Sequence, residues 1–422
     1  MQILRNIDKK SFLSFRIGIF LLVSTPFLSS IFFLLSLINS LINNSRKIIN
    51  NKWNYPIFIA SLLLINSSIF SRSDIEGWSP YLNWLGLGNW IPYFLCFFAF
   101  QYYTDSKYQR KKIIRSFIAG SVPFIISGFG QYFFNWTGPF DIFNKLIIWY
   151  QRPIVQDHGL TGLFNNPNYA ATWLLILWPM CLASLKEKKH NKFKKTITLT
   201  FIILIFISII LTRSRNGWLG SIISIPLLGS IYLKIFSILF LSLAILVFIL
   251  FISSINLNSL FNRIIPRFFK GEFLLFGFDN ILNLTRVKIW LQTIIFILEK
   301  PIFGWGAGTF AILIESKMNS WYGHPHNIWL ELAHSYGIPV SILLLITIIY
   351  ILFKSFKVIY LKPETKELNL FDRAWWTTTF TLTFSQMVDI QYFDYRIGIT
   401  FWILYSGLVS IINSKNKEYH IP

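Results

Sequence analysis

The feature that most limits the fold is a series of apolar runs, most of them long enough for a bilayer-crossing helix. Such a helix needs about 20 apolar residues. Only 14% of the 422 residues are charged, against roughly 25% in soluble domains. The composition therefore excludes a soluble enzyme and predicts an all-α, polytopic membrane protein. The apolar runs lie at about 17–42, 56–71, 81–103, 113–134, 169–185, 196–212, 215–231, 234–255, 327–353, 374–390 and 397–413.

The charges of the connecting segments predict the orientation of these spans. Short loops rich in Lys and Arg stay in the cytoplasm, and three segments are rich in them: 107–115, 186–195 and 354–373. The alternate connections are poorer in Lys and Arg for their length or very short, which places them outside: 135–168, 212–216 and 256–326. The net charge of +21 is assigned to basic loops facing anionic lipids and to sites for an anionic substrate, not to binding of nucleic acid.

The first apolar run raises a question of parity. A single helix at 17–42 would put the N-terminus outside, yet the preceding tail carries Arg5, Lys9 and Lys10. Because Pro26 interrupts the run, we expect two short, closely turned spans. The prediction is about 12 crossings with both termini in the cytoplasm, and about 11 is the alternative.

The spans divide the chain into three parts. Residues 1–255 and 327–422 form transmembrane helices, and 256–326 form one large extracytoplasmic loop with short helices. Within this loop, the apolar residues at 285–300 have helical spacing and Pro301 follows them; this predicts a surface helix. The glycines at 304–308 match no phosphate-binding pattern and predict a packed turn.

Three arginines are candidates for binding phosphate. Arg213 and Arg215 lie in a very short connection between two spans, and Arg286 lies four residues before Trp290 in the large loop. Guanidinium groups bind phosphate oxygens bidentately and keep their proton, so three of them suit a diphosphate. Snorkelling toward lipid headgroups is the alternative for the first two.

The histidines are concentrated in one segment. His324, His326 and His334 lie within eleven residues, although the whole chain has only six histidines. An imidazole can take a proton from a hydroxyl nucleophile, and a structural role at the start of a helix is also open. A metal bound by the three histidines and Glu331 is disfavoured, because residues eight apart are about 12 Å apart along a helix. We therefore predict no metal and no other cofactor.

Two polar segments flank these candidates. The turn at 165–168 contains three asparagines and a proline, which is typical of a helix start. Asp389 lies near the end of a span, where a carboxylate is costly. It can orient a histidine or an arginine, or bind water, and the sequence leaves these roles open.

Several of these motifs resemble those of one known family. His326 and Asn327, followed by nine residues and Gly337, resemble a ligase signature. Three other stretches resemble the family's remaining motifs in the same order: 165–168, 212–218 and 286–306. The chain resembles the O-antigen ligase and O-antigen polymerase superfamily of bacterial membrane glycosyltransferases.

The resemblance implies transfer of a glycan from a polyprenyl diphosphate lipid to an acceptor hydroxyl. The acceptor would be a hydroxyl of lipid A-core, of a glycan or of a protein. The reaction would be inverting and metal-independent, at the periplasmic face of the inner membrane. By the same resemblance, His326 is the base and Arg286 and Arg215 bind the diphosphate. Further candidates for binding substrate are Arg213, His324, Tyr322, Asn327 and Asp389.

The subtype is left open by two departures from the family pattern. Val340 stands where the signature has Gly, Thr or Tyr, and Asn216 stands where the arginine turn has Gly. A polysaccharide polymerase and a protein O-oligosaccharyltransferase therefore remain alternatives. A bicarbonate-type transporter is the alternative of another class, although a transporter usually carries broken helices and charges near the membrane midplane.

Overall fold

Helices make up almost all of the structure, as the apolar runs predict. The computed structural model describes residues 9–71, 75–142, 144, 147–154, 159–187, 192–229, 284–361 and 370–418. Within those residues, seven helical segments are long and apolar enough to cross a membrane. The protein is therefore a multi-pass membrane protein. The predicted span at 234–255 and residues 256–283 of the large loop lie outside the described residues, so the number of crossings stays a prediction.

The first apolar run contains two antiparallel helices, α1 (Lys9–Leu21) and α2 (Pro26–Ile49). Pro26 begins α2, where its fixed φ favours a helix and its missing N–H costs nothing. Ser29 on α2 donates through Oγ to the carbonyl oxygen of Gly18 at 2.7 Å. The chain thus turns back on itself where the proline predicts it.

The next elements differ from the runs in three places. The run at 81–103 is broken into two helices around Gly86 and Gly88, and the run at 113–134 is divided at Ser121. A short β-ribbon that the sequence does not predict lies in the 135–168 segment. The ribbon pairs Phe140 with Trp149 in antiparallel register. The elements are α3 (Tyr55–Phe70), α4 (Tyr81–Leu87), α5 (Ile91–Phe100), α6 (Lys107–Gly120), α7 (Val122–Phe134), β1 (Phe140–Ile142) and β2 (Ile147–Trp149).

The remaining helices include those of the large loop. A helix is present at the predicted place, α11 (Thr285–Glu299), and the packed turn follows it. Gly337, with φ +92°, separates α13 (Ile328–Tyr336) from α14 (Ile338–Phe356) and divides the apolar run at 327–353. The elements are α8 (Pro167–Leu185), α9 (Lys192–Leu211), α10 (Arg215–Leu228), α11 (Thr285–Glu299), α12 (Phe310–Met318), α13 (Ile328–Tyr336), α14 (Ile338–Phe356), α15 (Leu370–Ser385) and α16 (Tyr395–Glu418).

Helices α8 and α16 lie at the centre of the bundle. About four-fifths of the apolar stretch of α8 and nine-tenths of that of α16 are buried, against about one-fifth for α2 and α9. Trp173, Trp375 and Trp402 are almost completely buried in the core. The outer helices expose large apolar side chains such as Phe206 and Ile346, which is the surface a lipid-facing helix needs.

The two ends of α8 define the two ends of the bundle. Near its first residue, Asn168 donates to Asp389. Just beyond its last residue, Glu187 contacts Lys111 and Arg115. We call the end with Asp389 the histidine end and the end with Glu187 the basic end.

A buried ion pair stabilises the basic end. Arg110 on α6 donates through Nε to Asp372 Oδ1 on α15 at 2.8 Å, and the two side chains are 2% and 5% exposed. A second nitrogen of the same guanidinium donates to Asp372 Oδ2. Removing one partner would leave a buried, unpaired charge, so this pair fixes α6 against α15.

The glycine-rich segment at 304–308 forms the packed turn that the sequence predicts. Trp305 N donates to the carbonyl oxygen of His334 at 2.8 Å, and Ala307 N donates to Asn83 Oδ1 at 2.9 Å. Gly306 has φ +102°, and a Cβ there would lie 2.5 Å from Asn83 Oδ1. These amide groups bind other parts of the protein, which confirms the structural role of the segment.

Candidate active site

The centre of the site is a hydrogen bond between His326 and Asp389. His326 directly precedes the cap of α13, and Asp389 lies in the loop between α15 and α16. His326 Nδ1 lies 2.7 Å from Asp389 Oδ1, and the side chains are 27% and 8% exposed. The histidine can therefore be reached from outside while its carboxylate partner is almost buried. Of the three roles that the sequence left open for Asp389, the structure gives it the orientation of a histidine.

The hydrogen bond determines which ring nitrogen of His326 carries the proton. Burial favours the neutral form of Asp389, but the hydrogen bond from His326 and the electrostatic effects of the two neighbouring histidines and Arg286 together lower the pKa of its carboxyl group. An ionised carboxylate can only accept hydrogen bonds. His326 Nδ1 therefore carries the proton, and in the neutral imidazole Nε2 keeps its lone pair. A histidine in this tautomer can act as a general base.

Asn327 holds the histidine segment in place. Its Oδ1 accepts hydrogen bonds from the backbone N–H groups of Trp329 and Leu330, which caps α13. Its Nδ2 donates to the carbonyl oxygen of Met387 at 3.0 Å. The amide thus joins the start of α13 to the loop that carries Asp389.

A chain of hydrogen bonds connects this pair with the arginine turn. Asn168 Nδ2 donates to Asp389 Oδ2 at 3.0 Å, and Ser214 Oγ donates to Asn168 Oδ1 at 2.9 Å. Ser214 also caps α10, whose first residue is Arg215. The order is therefore Ser214, Asn168, Asp389 and His326, so one network links segments that are up to 221 residues apart in sequence.

The third arginine approaches from the large loop. Arg286 lies in the first turn of α11 and acts electrostatically on both Asp389 and His324. On the same helix, Trp290 donates through Nε1 to the carbonyl oxygen of Pro325 at 2.8 Å. Trp290 thus anchors α11, the helix that carries Arg286, to the histidine segment.

His324 is neutral and packs against His326. The ring centroids are 4.6 Å apart with an edge-to-face arrangement, and His324 Nδ1 accepts a hydrogen bond from the backbone N–H of His326. Burial, followed by the charge of His326 and a smaller effect of Arg286, lowers the pKa of His324 to about 4. With Nδ1 as an acceptor, the proton of the neutral ring lies on Nε2, which can donate to a substrate oxygen.

Two residues of the site have an unusual backbone conformation. His326 has φ +56° and Arg213 has φ +54°, in the left-handed region. Such residues cost of order 1–3 kcal/mol and persist where the surroundings determine them. Here the cap of α13 and the start of α10 supply those surroundings.

The comparison with known families matches the region that carries most of these residues. Residues 200–345 match the family model described as O-antigen ligase. The resemblance to the O-antigen ligase superfamily is confirmed. The match covers the arginine turn, Arg286 and His326, whereas Asn168 and Asp389 lie outside it. No curated protein matches the chain.

The O-antigen ligase match supports a general class for the protein. Over residues 200–345 the chain is similar to membrane enzymes of the O-antigen ligase and polymerase type, which are glycosyltransferase-like. Two further histidine-segment residues lie in apolar surroundings. Tyr322 packs against a separate apolar cluster that includes Phe310 and Ile314. The side chain of His334 is buried beside the rings of Phe296 and Phe310, and its ring nitrogens have no hydrogen-bond partner among the described residues.

Three residues of the candidate site have the atoms to hold a metal ion. In the described part of the chain, a set of ligand atoms within 4.8 Å of one another is formed by His324, His326 and Asp389. This set replaces two members of the disfavoured sequence-based set, Glu331 and His334, with Asp389. Asp389 of this set accepts from His326 and Asn168, and His324 Nδ1 accepts from the backbone N–H of His326.

Asn168 and Ser214 are site residues that the sequence did not identify. Asn166 was expected to start a helix, and its Oδ1 does accept from the N–H groups of Asn168 and Tyr169. Asn168 itself points to the network. The only signal was the repetition of asparagine beyond the capping position.

Proposed function

We propose that the protein transfers a glycan from a polyprenyl diphosphate lipid to an acceptor hydroxyl at the histidine end. That end would face the periplasm, and the bundle would lie in the inner membrane. The observation that carries this proposal is the hydrogen-bond chain from Ser214 to His326, because it joins a basic turn and a general base in one site. The O-antigen ligase match over 200–345 supports the same class of enzyme.

The proton of the acceptor would go to His326. As its Nε2 takes the proton from the hydroxyl, the acceptor oxygen attacks the anomeric carbon of the donor sugar. The bond from that carbon to the diphosphate oxygen breaks, and its electron pair stays on the diphosphate. Asp389 stabilises the imidazolium that forms. Attack opposite the leaving group inverts the anomeric centre.

The arginines would stabilise the leaving diphosphate. Negative charge develops on the bridging oxygen as the sugar departs, and fixed positive groups at that position lower the barrier. Arg286 and Arg215 are assigned to this role, and Arg213 and the Nε2–H group of His324 assist in binding the donor. Tyr322 and Asn327 are not assigned a contact with substrate, because one packs in an apolar cluster and the other is a helix cap.

The arginines also make a metal ion unnecessary for neutralising the diphosphate. We expect activity to persist in EDTA. Loss of activity in EDTA, with recovery on addition of a divalent ion, would instead assign His324, His326 and Asp389 as metal ligands.

The acceptor we propose is lipid A-core, since the ligase signature around His326 carries the resemblance. A growing polysaccharide or a protein hydroxyl would use the same chemistry. These alternatives differ in the product and not in the site, so they are separated by the glycan that accumulates in cells.

The test is deletion of the gene followed by analysis of the surface glycan. We expect unligated lipid-linked glycan to accumulate and surface glycan to be lost, with rescue by the wild-type gene and by Glu315→Gln, which changes an exposed carboxylate on α12. His326→Ala and Arg286→Ala should reach the membrane but fail to rescue. Normal surface glycan in the deletion strain would refute the proposal, and loss of bicarbonate uptake with unchanged glycan would favour a transporter.

A further inference from the structure

A cavity of about 300 Å³ lies at the histidine end, beside the site described above. It is bounded by the β-ribbon, by the turn between α1 and α2 and by the start of α16. None of the histidines or arginines assigned to the transfer reaction is part of its wall. Ligand pockets are roughly 300–1,000 Å³, so this cavity has room for one small ring.

The charges in the cavity wall cancel each other. Arg396 donates through Nε to Asp394 Oδ1 at 2.8 Å and through Nη2 to Oδ2, and its Nη1 donates to the carbonyl oxygen of Leu163 at 2.8 Å. The guanidinium carbon also lies 3.8 Å from the ring centroid of Phe164. Because the guanidinium is already paired, the cavity is not arranged to bind a free anion.

Hydrogen-bonding capacity nevertheless remains in the wall. A carboxylate offers about four acceptor positions, and Arg396 occupies three positions of Asp394 through its backbone N–H and two side-chain nitrogens. Asn165 uses its Oδ1 to accept from the backbone N–H of Arg152, which orients its amide group. An acceptor and an amide beside a neutral ion pair suit the hydroxyls of an uncharged ligand.

Two aromatic residues complete the wall. Tyr150 is 63% exposed, and Trp149 is held by a hydrogen bond of 2.7 Å from its Nε1 to the carbonyl oxygen of Ser24. Exposed aromatic rings present large apolar faces at little conformational cost. A pyranose ring can stack its C–H face on such an aromatic ring. The hydroxyls of the sugar can at the same time reach the polar groups of the wall.

We propose that this cavity is a subsite for one neutral pyranose unit of the glycan substrate. The proposal rests on the proposed function, since it assigns the cavity to the same substrate. The subsite is close to the reaction centre because Asn165 in its wall lies three residues before Asn168, which donates to Asp389. The bound sugar would therefore belong to a unit near the one that reacts.

The experiment measures sugar binding without the transfer reaction. The full-length protein in nanodiscs is titrated with two lipid-free probes: the glycan released from the host's lipid carrier by mild acid, and the acceptor oligosaccharide. Tyr150→Ala removes an exposed ring and should not affect folding. The matched control is Tyr108→Ala, which removes a ring that is 65% exposed at the start of α6, at the basic end.

We expect at least one probe to bind and Tyr150→Ala to raise its Kd about threefold to tenfold, the range of an aromatic contact. Tyr108→Ala should leave the Kd unchanged, and so should His326→Ala, although the latter abolishes transfer. Binding of the first probe alone assigns the subsite to the donor, and binding of the second alone assigns it to the acceptor.

Absence of binding by both probes, or an equal change in Tyr150→Ala and Tyr108→Ala, would overturn the subsite. Asp394→Asn provides a second check, because it removes a carboxylate acceptor from the cavity wall. Sugar binding should weaken in this variant even if the ring of Tyr150 only covers the cavity and does not contact the sugar. Failure of the subsite is distinct from failure of the proposed function, since the glycan phenotype of the deletion strain is measured separately. Weakened binding in Tyr150→Ala together with a normal deletion strain would reject the proposed function only.

Discussion

Replacing Asp389 with Asn changes the charge of the site while keeping its shape. The carboxylate accepts from three donors: His326 Nδ1 and Ile390 N at Oδ1, and Asn168 Nδ2 at Oδ2. An amide has only one oxygen. If the oxygen of the new amide stays with His326, the NH2 group of the new amide faces Asn168. Asn168 must then turn its own amide by 180°.

Ser214 permits this turn. Its hydroxyl now donates to Asn168 Oδ1, and a hydroxyl can equally accept from Asn168 Nδ2. The fold and the tautomer of His326 are therefore expected to survive in Asp389→Asn. What is lost is the negative charge that stabilises the imidazolium. A hydrogen bond to a charged group contributes about 1.5–3 kcal/mol, which corresponds to a roughly 10- to 150-fold fall in kcat.

The assay is transfer of a lipid-linked glycan by purified protein, with the donor concentration varied. We expect kcat to fall and the KM for donor to change little, since the arginines are intact. Glu315→Gln, which changes an exposed carboxylate that has no assigned role in the site, serves as the matched control. The reasoning is refuted if Asp389→Asn retains more than half of the wild-type kcat. It is also refuted if the substitution unfolds the protein at the assay temperature, because loss of the fold would then explain the loss of activity.

Three further substitutions test other parts of the account. Arg286→Lys keeps the charge but loses bidentate binding, so kcat/KM for donor should fall about 10- to 100-fold, and an unchanged value in a donor titration would contradict its role. The pKa of His324 is about 4 in the folded protein and 6.5 in its ordinary state. Because the unfolded chain takes up the proton first, the free energy of unfolding should decrease as the pH falls below about 6.5, by about 2 kcal/mol at pH 5. His324→Gln should reduce this dependence, measured by thermal unfolding at pH 5 and pH 8. Asp372→Ala leaves Arg110 buried and unpaired and should cost about 3–5 kcal/mol, seen as a lower unfolding temperature in detergent, whereas Glu315→Gln should leave that temperature unchanged.

The sequence predicted those features that depend on nearby residues. The apolar runs predicted the helices, Pro26 predicted the turn between α1 and α2, and the spacing at 285–300 predicted α11. The break at 81–103 was missed because a run of apolar residues is continuous even where glycines interrupt the helix. The β-ribbon was missed because its strands are three residues each, too short for a pattern of alternation.

The candidate site could be predicted only in part for the same reason. The motifs nominate His326, Arg215 and Arg286 as candidates, each from its own neighbours. The role of Asp389 stayed open because its partner His326 lies 63 residues away. Asn168 was missed because its contact with Asp389 spans 221 residues, and no local pattern reports such a pairing.

The most direct test of the central claim is transfer by purified protein in proteoliposomes containing a defined polyprenyl diphosphate glycan, with EDTA present. The two products, glycosylated acceptor and free polyprenyl diphosphate, are measured together in one turnover. We predict that the wild type forms both in equal amounts, and that His326→Ala forms neither although it still binds the donor. Formation of both by His326→Ala at the wild-type rate would contradict the role of the histidine as the base.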